Sequence, residues 1–190
     1  TKEVLFSIVE RIHDLSLTRN STLYIVGGGT ISDVASFAAG IYMRGIRHVI
    51  LPTTLLSMTD AAIGGKCAIN FMNAKNNVGI FKEPEIVYID SNFTKTLEEE
   101  DLKDGYVEGF KLATLFDREV AMEMFELLKA DEKDKLIKKM TEYAPLKKAQ
   151  IVEMDFRDKG IRNLLNAGHT VAHFLEGQSG YKISHGKAVA

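Results

Sequence analysis

Residues 22–38 read TLYIVGGGTISDVASFA. Thr22 to Val26 is a short apolar run of strand formers, Gly27-Gly28-Gly29 is a turn, and Ile31, Val34, Ala35, Phe37 and Ala38 then recur at helical spacing. A strand that runs through glycines into a helix aims backbone N–H groups and a helix N-terminus at whatever sits beyond the strand, which suits a pyrophosphate. The spacing is not G-x-G-x-x-G, so the glycines also read as a tight turn that uses their conformational freedom. Asp33 reads either as a hydrogen-bond partner for a ribose or nicotinamide region, or as a first-turn residue whose charge suits the helix dipole.

Working outward, Val4, Leu5, Ile8, Val9, Ile12 and Leu15 form one stripe of an opening helix. Downstream, His48–Leu51, ended by Pro52, and Glu85–Asp90 are further apolar runs, and such runs separated by helical stretches predict a mostly parallel sheet flanked by helices. Thr53 and Thr54 place hydroxyls at a strand end, where open α/β sheets bind ligands. Asp60 and Lys66 bracket Gly64-Gly65, and Lys75-Asn76-Asn77-Val78-Gly79 reads as a second polar, glycine-ended loop.

From Thr96 the pattern turns helical, and Thr96-Leu-Glu-Glu99 reads as a capping box. Glu108 and Lys111 stand one turn apart among Tyr106, Val107 and Phe110. The pair reads either as a surface ion pair worth ~0.3 kcal/mol or as a partly buried carboxylate that needs a metal or a lysine. Asp117 to Lys139 reads as charge-rich amphipathic helix, and Lys147 and Lys148 as the start of another that runs through Val152. The expected organisation is an α/β Rossmann-like domain over residues 1–93 and an all-α domain over residues 94–190.

The last stretch, GIRNLLNAGHTVAHFLEGQSGYKISHG from Gly160 to Gly186, carries three of the chain's five histidines. On one continuous helix His169 and His173 share a face, with Arg162 and Asn166 on roughly the same side. An i, i+4 histidine pair reads as well for surface or capping roles as for ligands, while a third histidine and a carboxylate turn the reading toward a divalent metal.

Composition narrows the class. At 190 residues the chain has room for a sizeable core, and 45% hydrophobic with 26% charged residues is ordinary for a globular protein. A net charge of -2 argues against nucleic acid as a partner, so any phosphate recognition is local. The single cysteine, Cys67, excludes an internal disulfide, and without a leader or an apolar span of ~20 residues the expectation is a cytoplasmic protein with no membrane partner. Because the sequence opens inside a helical pattern and stops as another helix begins, a piece of a longer protein, incomplete at both ends, is expected.

Taken in order, several blocks resemble the 3-dehydroquinate synthases and the wider sugar phosphate cyclase family along nearly the whole chain. They are Gly27-Gly-Gly-Thr-Ile-Ser-Asp33, Tyr42-Met-Arg-Gly45, Pro52-Thr-Thr-Leu-Leu56, Asp60 to Lys66, Lys75-Asn76, Glu108-x-x-Lys111, and Arg162 through His169 and His173 to His185-Gly186. The resemblance implies an N-terminal NAD domain joined to a C-terminal helical domain. It implies Glu108, His169 and His185 as ligands of a divalent metal, most often zinc, with cobalt as the other candidate. It implies substrate contacts at Asp60, Lys66, Asn76, Lys111, Lys148, Arg162, Asn166 and His173, and at Arg44 reaching from a partner subunit of a homodimer. Among these, Lys66, Lys111, His173, Arg162 and Asn166 are implied in catalysis, while Gly28, Gly29, Asp33, Thr53 and Thr54 are implied to hold NAD.

The implied activity converts 3-deoxy-D-arabino-heptulosonate 7-phosphate, a sugar phosphate, to 3-dehydroquinate and phosphate in the shikimate pathway, with NAD recycled. Departures from the family pattern are the run Val107-Glu-Gly-Phe-Lys-Leu-Ala113, Ala172 and Phe174 around His173, and Lys187 after His185-Gly186, where a cation near a ligand would weaken a metal site. They leave open a cyclase for another sugar phosphate, such as a 2-deoxy-scyllo-inosose synthase-like enzyme, and a metal- and NAD-dependent polyol-phosphate dehydrogenase. Lys148, Arg162 and Asn166 favour dehydroquinate synthesis.

Overall fold

The computed structural model describes residues 1–72, 74–180 and 183–190, apart from the side chain of His173. The chain forms two compact units, one of Thr1–Thr53 with Ala61–Asp90, the other of Thr54–Asp60 with Ser91–Ala190.

The first unit opens with α1 (Lys2–Asp14), whose Leu5 and Ile12 are buried while Val4 and Leu15, at the edges of the apolar stripe, face solvent. Each buried side chain contributes about 1.5–3 kcal/mol, enough to dock a helix of this length. Strands β1 (Thr22–Gly27), β2 (Arg47–Pro52) and the short β5 (Ile86–Val87) form a parallel sheet in the order β1-β2-β5, with Ile25 opposite Ile50 and Ile50 opposite Val87. Helix α2 (Gly29–Ile41) crosses from β1 to β2. Its Ala35 packs with Ile25 and Ile50 of the sheet, and its Val34, Phe37 and Ala38 pack with Leu5, Ile12 and Ile69.

The stretch expected to be a polar loop at Lys75–Gly79 is instead part of strand β4 (Ala74–Phe81), which pairs antiparallel with β3 (Lys66–Phe71). Most of β4 is exposed, so it carries no inside-outside alternation that would mark it as a strand in sequence. Two amides replace ladder bonds beside a register shift: Asn77 Oδ1 accepts from Phe71 N at 3.0 Å, and Asn70 Oδ1 accepts from Asn76 N at 2.9 Å.

The second unit is helical: α3 (Glu99–Phe116), α4 (Arg118–Lys129), α5 (Lys133–Met154), α6 (His169–Gln178) and α7 (His185–Val189). Three local expectations are corrected. Thr96 ends a 3₁₀ helix, Ser91–Thr96, and does not cap α3, whose first turn is instead suited to the helix dipole by Glu99, Glu100 and Asp101. The 117–139 stretch is two helices, because Asp131 adopts φ 56° between them, and Asp117 caps α4 by accepting from Val120 N at 3.2 Å. Lys147 and Lys148 lie inside α5, which runs straight through Pro145. An internal proline costs about 3 kcal/mol, and burial of Leu136, Ile137, Met140, Ile151 and Val152 on the same helix outweighs it.

The core of this unit gathers Leu55, Tyr106, Ala113, Met124, Leu136, Ile137 and Met140, with Leu112, Ala144, Ile151 and Leu165 in a second cluster. The architecture is therefore the expected class, a Rossmann-like α/β part with a parallel sheet and a helical part. No described helix is long and apolar enough to cross a membrane.

Candidate metal centre

Three histidine and glutamate side chains converge in the helical unit, each held by a different local device. On α3, Glu108 and Lys111 are one turn apart; the Glu108 side chain is 2% exposed and its Oε2 lies 2.5 Å from Lys111 Nζ. Its Oε1 is buried without a hydrogen-bond partner.

His169 is the first residue of α6. Sequence reading extended one helix from Arg162 to His173, but Ile161–Asn166 is a 3₁₀ helix and Gly168, at φ 81°, starts α6 afresh. A side chain at Gly168 would be strained at that φ, and its Cβ would lie 3.1 Å from Val189 O. This break removes the single helical face on which Arg162 and Asn166 were expected to stand with His169. Its Nδ1 lies 3.4 Å from Ala167 O and 3.5 Å from Lys111 Nζ. Burial, and then the neighbouring Lys111 charge, hold its pKa below the ordinary histidine value, so the ring is neutral near pH 7, as a ligand must be.

His185 opens α7 and is fixed from both chain directions by Asp104 of α3. Asp104 Oδ1 accepts from Ser184 Oγ at 2.7 Å and from Gly186 N at 2.9 Å. Gly186 is required by this approach, since a Cβ there would stand 2.5 Å from Asp104 Cα. The His185 ring places Nδ1 3.0 Å from Glu176 Oε1 and Nε2 3.3 Å from Glu108 Oε1. Its centroid is 5.1 Å from that of His169, with the rings 62° apart.

One ligand atom each from Glu108, His169 and His185 lies within 4.8 Å of the others. Atoms about 2.1 Å from a tetrahedral zinc stand about 3.4 Å from one another, close to the 3.3 Å between Glu108 Oε1 and His185 Nε2. A carboxylate oxygen accepts, and in the Nδ1–H tautomer His185 donates to Glu176 and leaves the lone pair of Nε2 toward Glu108 Oε1. Two acceptors facing each other in a buried site are relieved by a shared cation. The donor set thus fits a divalent metal, with an open position for another ligand.

Beside the cluster, Lys148 Nζ donates to Asp60 Oδ1 at 2.6 Å and to Asp60 O at 2.7 Å. Burial works to raise the Asp60 pKa, but the Lys148 ammonium and its hydrogen bond, with Lys111 and His169 further off, hold it below the usual carboxylate range.

The other expected site residues are distributed differently. Arg162 is 2% exposed and donates from Nη1 to Phe156 O at 2.8 Å, which anchors the loop before the 3₁₀ helix. Asn166 is exposed, its amide 3.5 Å from Asn163 Oδ1. The side chain of His173 lies outside the described residues. Thr54 belongs to the helical unit and exchanges hydrogen bonds with Ser57. Gly28, Gly29, Asp33, Arg44, Thr53, Lys66 and Asn76 belong to the α/β unit. There Gly28 is the N-cap of α2 with no side-chain cap, Thr53 N donates to Gly27 O, and Arg44 sits exposed at φ 66°.

Sequence reasoning missed Glu176, 3% exposed. The signal was present, because Glu176 follows His169 by seven residues, a helical repeat that returns to the same face. Lys187 pairs with Glu100, whose side chain is half exposed, so its charge is answered on α3.

Comparisons with known proteins identify the family. The family profile "3-dehydroquinate synthase N-terminal" matches residues 1–104, and "3-dehydroquinate synthase C-terminal" matches residues 105–190. The 3-dehydroquinate synthase of Campylobacter curvus is 45% identical over 184 residues, covering 96% of this chain and 53% of the relative. Among solved structures, ValA (2-epi-5-epi-valiolone synthase) from Streptomyces hygroscopicus, with NAD+ and Zn2+ bound, superposes with a TM-score of 0.87 at 27% identity, over 100% of this chain and 54% of that one. A 2-deoxy-scyllo-inosose synthase complexed with carbaglucose-6-phosphate, NAD+ and Co2+ gives 0.85 at 25%, over 100% and 53%. The chain spans about half the length of the curated relatives it matches. With one profile ending where the next begins and the two together running the length of the sequence, the chain belongs to the 3-dehydroquinate synthase family.

Proposed function

We propose that the protein carrying this chain is a 3-dehydroquinate synthase, a phosphate-eliminating carbon–oxygen lyase that closes 3-deoxy-D-arabino-heptulosonate 7-phosphate to 3-dehydroquinate. The observation that carries the reading is the convergence of Glu108, His169 and His185 within 4.8 Å, two imidazoles and a carboxylate in a family whose relatives carry that name. The α/β unit is the NAD half, with Gly28, Gly29, Asp33 and Thr53, and the adjoining Thr54, toward the nucleotide, and the helical unit, Asp60 included, is the metal half. The uncapped start of α2 after bare glycine backbone suits a pyrophosphate.

When bound, the metal would supply Lewis-acid polarisation of a substrate hydroxyl and NAD a reversible hydride acceptor. The chain's own residues supply the rest. Glu108, His169 and His185 form the donor set. Lys111 holds Glu108 Oε2, which leaves Oε1 free for the ion. Lys148 keeps Asp60 ionised beside the cluster, where a carboxylate can accept from substrate hydroxyls. Lys66, Asn76, Arg162, Asn166, His173 and, from the other copy of a homodimer, Arg44 bind the substrate's carboxylate, hydroxyls and phosphate. A cytoplasmic location accords with a sugar phosphate substrate.

The test is release of inorganic phosphate from the heptulosonate phosphate by the protein as its gene encodes it, with and without NAD and a chelator. Phosphate release that needs both NAD and metal, with no net NADH absorbance, is expected. Steady NADH accumulation would replace the cyclase with a dehydrogenase, and turnover of another sugar phosphate alone would replace the substrate.

A further inference from the structure

We infer that Glu176 is a positioning residue for the metal centre, setting the tautomer and direction of the His185 ring. The inference rests on the metal reading above and extends it to a residue that supplies no ligand atom to the cluster. Glu176 lies on α6, two turns beyond His169, with its side chain 4% exposed and Oε1 3.0 Å from His185 Nδ1. Burying a carboxylate is costly unless it is paired, so its presence here calls for a partner that needs it.

His185 is such a partner. An imidazole offers one nitrogen as donor and the other as acceptor, and the hydrogen bond made by the first decides which lone pair is left for a metal. Glu176 takes Nδ1–H and thereby leaves the lone pair on Nε2, the nitrogen 3.3 Å from Glu108 Oε1. Asp104 complements this by holding the backbone at Ser184 and Gly186, so main chain and ring of one ligand are fixed by separate carboxylates. The same helix that begins with His169 carries Glu176, so one element supplies a ligand and orients another. Partners of this kind raise metal affinity by about 10–100-fold.

The test titrates Co2+ against a competing chelator into the wild type, Glu176→Gln, Glu176→Asp, His185→Ala and the His185→Ala/Glu176→Gln double variant. The Co2+ visible spectrum reports coordination, and thermal unfolding without metal reports the fold. Glu176→Gln is expected to keep the metal-free melting temperature within a few degrees, lose about 10–100-fold in affinity and change the spectrum. Glu176→Asp keeps the charge with a shorter reach and is expected to fall between. Should the Gln variant fail to fold, the Asp variant decides by the same titration. In the His185→Ala background the Glu176 change is expected to add no further loss, which a general packing role would. A wild type that binds no Co2+ overturns the metal reading itself. A wild type that binds it, with unchanged affinity and spectrum in the Glu176 variants or additive losses in the double variant, overturns the role of Glu176 alone.

Discussion

Glu108 has two oxygens with two different duties, and a substitution can separate them. Glu108→Gln keeps the shape but removes the charge opposite Lys111, whose side chain is only 12% exposed and whose ammonium is 2.5 Å from Oε2. Removing one member of a buried pair costs about 3–5 kcal/mol, because the remaining charge stays desolvated. The partial exposure of Lys111 and its approach to His169 Nδ1 place the expected loss at the low end, about 3 kcal/mol. For a unit of this size that is roughly 10–15 °C in melting temperature. Lys111→Met should cost a similar amount, leaving Glu108 buried alone.

The double variant has neither charge, and is expected to be more stable than the sum of the single losses by at least about 1 kcal/mol. Thermal or urea unfolding of the four proteins with a chelator present measures this pair in isolation. Repeating the series with Zn2+ at 100 times its dissociation constant should stabilise the wild type by about 2.7 kcal/mol and the Gln variants by much less. Single losses that simply add, or equal stabilisation of wild type and Glu108→Gln by Zn2+, would refute the division of labour between the two oxygens.

Two further outcomes follow from buried groups outside and inside the cluster. His48 is fully buried in β2 with neither ring nitrogen hydrogen-bonded, and burial, then the Lys82 charge, pushes its pKa down to about 4. The unfolded ring, near 6.5, binds a proton where the folded ring does not, so its stabilising contribution is complete above about pH 6.5 and shrinks as pH falls toward about 4, by about 3 kcal/mol. Urea midpoints of His48→Leu should therefore lose less on acidification than those of the wild type, and parallel profiles would contradict this. Gly186→Ala forces a Cβ to within 2.5 Å of Asp104 Cα, so the chain must shift at His185. About 1–3 kcal/mol of stability and a larger relative loss of Co2+ affinity are expected, and calorimetry with Co2+ checks both.

The parts of the site that were legible in sequence are those one helical turn wide. The one-turn spacing of Glu108 and Lys111 was legible because both sit inside one unbroken helix, but spacing left a surface ion pair and a buried carboxylate equally open, and the metal roles of Glu108, His169 and His185 came from the family resemblance. The strand, glycine turn and helix at Thr22–Ala38 were legible as well, with periodicity changing from strand to helix across three glycines. What periodicity could not show was where a helix stops without losing its apolar pattern. Gly168 interrupts the stretch from Arg162 to His173 by a backbone angle, and Pro145 fails to interrupt α5 because buried neighbours outweigh it. The exposed β4 had no buried face to write into its sequence. The place of Glu176 on the His169 face was legible from spacing, whereas its meeting with His185 depends on where α7 returns, a matter of tertiary contact.

Chain order separates Glu108 from both imidazoles by the whole of α4 and α5. Closing the cluster carries the entropic cost of a long loop unless those helices have already docked and returned the tail to α3, so it is expected late in folding. Contacts made that late are absent from the folding barrier and add to the unfolding barrier. Occupancy by an ion would thus lengthen the lifetime of the folded helical half while scarcely altering how fast it forms.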